Sequence, residues 1–192
     1  MGDMNSDIHK KVKRYFSLLA PHQEAGNLNL RMTFDKGYWW CESHKEINEL
    51  EREFLGVGKS DEVLKALADS KNKKITELIH LLGWSCDTKS AGKILERYLF
   101  SDNIEWVNAA ARALFPMIAA GKYRMDIKNI FALLHKRSKF CKNKAMGILA
   151  FYPTNDLNEA FPLEERNYIK KLSHHSDTLI IANAAKMVLR RW

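Results

Sequence analysis

Apolar positions change period along the chain, and the changes mark its elements. Ile8, Val12, Tyr15, Phe16 and Leu19 recur at intervals of three and four, which predicts an amphipathic helix over 7–19. Asn5 or Ser6 would cap its start, and Pro21 would follow its end. From Asn27 to Phe34 the period drops to two, with Leu28, Leu30, Met32 and Phe34 on one side. Asp35-Lys36-Gly37 then fits a turn into Tyr38-Trp39-Trp40-Cys41, a small β-hairpin. Ser43 with Glu46 three residues later has the form of a capping box. It would open a helix carrying Ile47, Leu50, Phe54 and Leu55, ended by Gly56 and Gly58.

Beyond residue 59 every apolar stripe is helical, and the helices come in pairs. Ser60 would cap a helix with Val63, Leu64 and Leu67, and Asp69-Ser70 would turn into a second one stopped by Gly83. Asp87 or Thr88 starts a pair holding Ile94, Leu95, Tyr98 and Leu99. Its second helix contains Pro116, expected to bend or end it, and Gly121 closes the unit. Asp126 caps a third pair with Ile127, Ile130, Phe131 and Leu134, and its second helix stops at Pro153. After a polar loop over 154–161, Pro162 opens the last pair, and Ser176-Asp177 turns into a helix running to Trp192.

The second helices repeat one another. Asn108-Ala-Ala-Ala-Arg-Ala-Leu114 aligns with Asn143-Lys-Ala-Met-Gly-Ile-Leu149 and with Asn183-Ala-Ala-Lys-Met-Val-Leu189. Thr76-Glu-Leu-Ile-His-Leu-Leu82 fits the same frame. Successive offsets are 32, 35 and 40 residues, within the period of helical solenoids. Ala110, Ala145 and Ala185 fall in register, and Leu114, Leu149 and Leu189 lie four positions on, so each small–large pair shares a helix face. A small residue allows close approach of the neighbouring helix, and a helix pair that cannot bury its apolar side alone must stack.

Composition narrows the class. The chain has 192 residues, 46% of them hydrophobic, with five Trp, and fits a folded domain without staples. Cys41, Cys86 and Cys141 are odd in number and far apart, which predicts reduced thiols and a cytoplasmic setting. The first sixteen residues carry charge throughout and lack the apolar core of a secretory signal. No apolar run approaches the roughly 18 residues of a membrane span. Net charge is +8, and its distribution is uneven: residues 1–59 hold nine basic and nine acidic side chains, so residues 60–192 carry the whole excess. That favours acidic partners.

The quoted repeats resemble the HEAT-like repeat, in the short form of phycobilisome-lyase-type proteins. Leu81-Leu-Gly-Trp-Ser-Cys-Asp87 and Ser101-Asp-Asn-Ile-Glu-Trp-Val-Asn-Ala-Ala-Ala-Arg-Ala-Leu114 carry the resemblance. It implies a mainly α protein: a right-handed α-α superhelix of about four pairs, at about 60–84, 87–121, 125–153 and 161–192. Residues 1–58 would then form an N-terminal helix, hairpin and helix capping it. Tyr38, Trp39 and Trp40 are expected to cover that end. The family implies second helices lining a concave groove and, as a rule, protein binding. Where it has Arg after the Val, this chain has Asn108, with Asn143 and Asn183 aligned to it. These amides lie about 200° from the core Ala. They would form a row along the groove, with Arg112 beside them.

Lys136, Arg137, Lys139, Lys142 and Lys144 form the densest basic cluster, at the turn into a second helix, with Lys71, Lys73 and Lys74 at the corresponding edge of the first pair. Asn108, Arg112, Asn143 and Asn183, with the five-residue cluster as a rim, are therefore the candidate partner-binding residues. His80, His135, His174 and His175 have no metal-ligand spacing, and no phosphate loop, nucleophile elbow or HExxH is present, so neither metal nor cofactor is expected. The expected activity is that of a non-enzymatic interaction module for an acidic or extended protein partner. The alternative is nucleic-acid binding, by resemblance to alkylpurine DNA glycosylases, which share the fold and in which the Ser101-Asp-Asn-Ile104 turn finds a parallel. Their pairing of concave Trp with Asp has no counterpart here: Trp39-Trp40 precedes Cys41-Glu42 and lies far from that turn.

Overall fold

The structure, a computed structural model, describes residues 6–24, 32–35, 38–58, 62–68, 74–136, 138–152, 162–175 and 179–190. It is mainly α. Helices α1 (Ser6–Glu24), α2 (Lys45–Gly58), α3 (Glu62–Ala68), α4 (Ile75–Leu82) and α5 (Thr88–Leu99) are followed by α6 (Ile104–Ala119), α7 (Ile127–Leu134) and α8 (Lys139–Phe151). The last two are α9 (Leu163–His175) and α10 (Leu179–Leu189). Between α1 and α2, β1 (Met32–Asp35) pairs antiparallel with β2 (Tyr38–Cys41), Phe34 opposite Trp39 and Asp35 opposite Tyr38. Asp35 thus belongs to a strand rather than to the expected turn.

Several sequence expectations lie outside the described residues: Leu28 and Leu30, Lys36-Gly37, the Ser60 cap, the Asp69-Ser70 and Ser176-Asp177 turns, Lys71 and Lys73, the 154–161 loop and Trp192. The side chains of Tyr38, Trp39 and Trp40 lie outside them too.

Contacts follow the pairing read from the sequence. Helix α3 packs on α4, α5 on α6, α7 on α8 and α9 on α10. The second helices also touch in series, α4 on α6, α6 on α8 and α8 on α10. Ala110, Ala145 and Ala185 are fully buried at those contacts, as are Leu114 and Leu149, whereas Leu189 at the end of the series is half-buried. Helix α4 is buried from Glu77 to Leu82 because it meets α1, α2, α3, α5 and α6. A helix surrounded in this way keeps little solvent face, confined to its first turn.

Local chemistry sets the ends. Asp87 Oδ1 accepts the Ser90 N–H at 3.1 Å, Asn103 Oδ1 accepts from Glu105 and Trp106 at 2.9 and 3.3 Å, and Asp126 Oδ1 accepts from Lys128 at 2.9 Å. Each satisfies an otherwise unpaired first-turn donor. Helix α6 ends in a Schellman arrangement: Gly121 takes φ +65°, its N–H donates to Ile118, and the Lys122 N–H donates to Met117. Gly83 acts differently. Its φ of −60° is ordinary, and a Cβ there would stand 2.9 Å from Ala113 Cβ, so the missing side chain lets α4 approach α6.

Helix α1 runs past its expected end at Leu19, through Pro21 to Glu24, whereas α2 ends at Gly58, as expected. Helix α6 passes through Pro116 to Ala119; the proline withholds the N–H that would meet the Arg112 carbonyl, but packing against α4, α5 and α8 keeps the helix going. The start of α2, where the Ser43–Glu46 capping box is expected, has other partners as well. His44 Nδ1 accepts the Ile47 N–H at 3.4 Å, and Glu46 pairs with Arg14 of α1 at 2.8 Å. That long-range ion pair, with Lys11–Glu53 at 2.6 Å, lays α1 along α2.

Candidate functional site

The second helices bring together part of the expected set. Helix α6 presents Glu105, Asn108, Ala109 and Arg112, spaced i, i+3, i+4, i+7, to one side of a cleft of about 540 Å3. Thr76 and Glu77 of α4 form its floor. Its other wall is α1, with Lys13, Phe16 and Ala20. Helix α1 packs on α2 and on α4, the second helix of the first pair, and from there forms this wall of the cleft.

Charge in the cleft is ordered. Lys13 Nζ stands 3.7 Å from Glu77 Oε1, across the floor. Toward the C-terminal end of the α6 stripe, the Arg112 guanidinium lies 5.4 Å from the centre of the Phe16 ring, within cation–π reach. Lys144, from α8, donates to Asn108 Oδ1 at 2.9 Å. Burial, reinforced by the positive charge of Arg112, pulls the Lys144 ammonium down to about 8, and burial lowers Arg112 as well. Two cations are thus held close together at partly desolvated positions beside an amide.

The remaining candidates disperse. Asn143 is half-buried and Asn183 exposed, while Asn108 is tied to Lys144. The basic cluster divides because successive helical positions point in different directions. Lys136 donates to the Phe100 carbonyl at 2.9 Å and lies over that ring, 5.3 Å from its centre, where it caps the end of α5. Lys142 lies over Tyr168, at 5.8 Å. Lys139 is exposed, and Arg137 is outside the described residues. Lys144 meets Asn108, which lines the cleft.

Behind the cleft is a buried polar group that the sequence reading did not single out. Glu51 accepts the Cys41 N–H at 2.9 Å and the Tyr15 hydroxyl at 3.3 Å. Burial pushes its carboxyl up to about 7, against the lowering effect of those two donors, and burial with Glu51 beside it pushes Tyr15 up. His80 sits among Tyr15, Phe16 and Phe54, with ring centres at 5.1, 4.9 and 5.5 Å. Neither of its nitrogens has a hydrogen-bond partner among the described residues, and burial, then Arg112, pulls it down to about 3. At neutral pH it is an uncharged ring supporting Phe16. Glu51 had a signal: Ile47, Leu50 and Phe54 put it on the apolar side of α2, at i+4, i+1 and i−3.

Among the described residues no group of three or more His, Cys, Asp or Glu is placed to hold a metal ion, and no helix is long and apolar enough to cross a membrane. Against known proteins, no family model, no curated protein and no solved structure matches this chain.

Proposed function

We propose that the chain is a HEAT-like interaction module, a right-handed superhelix of about four helical pairs, without enzymatic activity. Its second-helix face would take an acidic or extended segment of a protein partner. One observation carries this reading: Asn108 and Arg112 line a cleft walled by α1, and Lys144 is held on that Asn108, so two partly desolvated cations lie close together there. A carboxylate placed between them relieves their mutual repulsion and gains charge-assisted hydrogen bonds. The serial packing of the second helices supports the repeat architecture, and the net charge of +8 supports an acidic partner. The nucleic-acid alternative draws less support, since it needs a continuous cationic track. Lys136 and Lys142 are instead spent on Phe100 and Tyr168.

Fluorescence anisotropy with a labelled Glu-rich peptide tests the reading. Lys144→Met with Arg112→Gln, which keep the volumes while removing both charges, should weaken binding by roughly tenfold or more. Affinity should also fall as pH rises through about 8, where Lys144 loses its proton. Unchanged affinity in the double variant would reject the cleft as the site. Tighter binding to generic duplex DNA, with a steep salt slope, would favour the alternative.

A further inference from the structure

The charges along α6 are arranged as well as present, and their order says what kind of segment fits. Glu105 and Arg112 stand seven positions apart on one helix face, a rise of about 10.5 Å, with Asn108 between them. Because Asn108 Oδ1 accepts from Lys144, its Nδ2 is left to donate. The stripe therefore reads acceptor, donor, cation: a carboxylate, an amide N–H2 and a guanidinium backed by Lys144.

A peptide answers that sequence with a basic side chain, a main-chain carbonyl and an acidic side chain. An α-helical ligand also spans about 10.5 Å over seven residues, but its carbonyls are bonded internally and cannot take the Asn108 amide, so the choice is between extended conformers, which differ in spacing. In a β-strand the residues sharing a face are two or four apart, about 6.6 or 13 Å, and neither matches the stripe. In a polyproline II segment residues i and i+3 return to one face about 9.3 Å apart. Its carbonyls make no internal hydrogen bonds, so they remain open to a donor such as Asn108. The opposite wall suits the same conformer, since the Phe16 ring with Ala20 offers an apolar surface for pyrrolidine rings.

Resting on the interaction-module reading above, we infer that the cleft between α1 and α6 recognises a polyproline II segment bearing one basic and one acidic side chain three residues apart. The basic group lies at Glu105 and the acidic group at Arg112, with Lys144 held on Asn108 beside it.

Heteronuclear NMR titration of the full chain with Pro-rich peptides tests this. Each probe carries one Lys and one Glu at a spacing of two, three or four residues, in both orders, with an acid-only peptide alongside. Spacing three, in one of the two orders, should bind about threefold to fivefold tighter than the others, as one well-placed exposed ion pair allows. It should also shift the Asn108 side-chain amide. Glu105→Lys, at an exposed helix position, should abolish the benefit of the peptide Lys and favour a second Glu there. Asn108→Ala should lower affinity for every peptide without changing the preferred spacing. If all spacings and the acid-only peptide bind alike, the charge-order inference is wrong while the cleft remains an acid-binding site. If no peptide, acid-only included, shifts a cleft residue, the interaction-module reading fails with it.

Discussion

Two clusters in this molecule use similar residues to opposite effect. Near the N-terminal end, Glu51, Tyr15 and His80 lie between α1, α2 and α4, with Phe54 against them, all buried. Near the C-terminal end, His135 at the close of α7 pairs with Glu165 of α9 at 2.9 Å and stacks on Tyr168, 4.5 Å between ring centres, with water on the outer side. Each contains a His, a Glu and a Tyr, and each joins α-helices from separate parts of the chain. Burial separates them. In the first, desolvation holds the His and Glu in their uncharged forms through part of the neutral range. In the second, solvent screens whatever the charges gain. The same residue types are therefore fully desolvated at one end and partly open to solvent at the other.

The largest expected difference is in packing. Phe54→Ala should empty a fully buried site against Tyr15, His80 and Trp84, and cost about 3–5 kcal/mol in denaturant unfolding. Tyr168→Ala removes a half-buried ring, whose loss the solvent partly fills, and should cost roughly 1–2 kcal/mol. Equal costs would mean that the two clusters are packed alike and that the comparison is mistaken.

Next is the pH dependence of stability. The folded-state pKa of Glu51 is raised to about 7 from an ordinary 4.5, so between those values the native state holds a proton that the unfolded chain has released. Its contribution is fully present below about 4.5 and is lost as pH rises through 7. His80 acts in the other direction. Its pKa is lowered to about 3, so stability falls as pH drops from about 6.5 toward 3. Glu51→Gln keeps an acceptor for the Cys41 N–H and removes the titration. It should leave stability near pH 5 almost unchanged and raise it near pH 8 by up to about 3 kcal/mol. The acid-side fall from His80 should survive. Urea midpoints measured across pH check this, and parallel curves for the variant and the natural chain would count against a raised Glu51.

These outcomes bear on what the sequence made legible. The paired helices and their register were readable because Ala110, Ala145, Ala185, Leu114 and Leu149 do the same packing task at each contact, and repetition exposes it. The caps at Asp87 and Asp126 were readable for a local reason, since the acceptor and its donor lie within three residues. The Glu46 partner thirty-two positions away, Arg14, was not legible, because no local pattern records a contact between separate helices. Helix α1 continues past Pro21, where its end is expected, and α6 does not stop at Pro116, where a bend or an end is expected, because packing against α4, α5 and α8 outweighs one lost hydrogen bond. The candidate site was half legible. Asn108 and Arg112 stood out as residues that packing did not require. That Lys144, rather than Asn143, would meet Asn108 depends on how α8 is rotated against α6, which no single-helix pattern records.

The smallest expected effect is also the sharpest control. His135 and Glu165 meet at hydrogen-bond distance, in geometry as good as that of Glu51, so a count of contacts would rank the two clusters equally. Glu165→Gln retains the shape and one acceptor for the imidazole while removing the charge. With His135 exposed, the pair exchanges its water hydrogen bonds for one another at almost no net gain. The substitution should therefore change stability by no more than about 0.5–1 kcal/mol, and by less as salt is added. A loss of several kcal/mol, insensitive to salt, would place the α7–α9 junction with the buried cluster. Burial would then no longer be what separates the two ends.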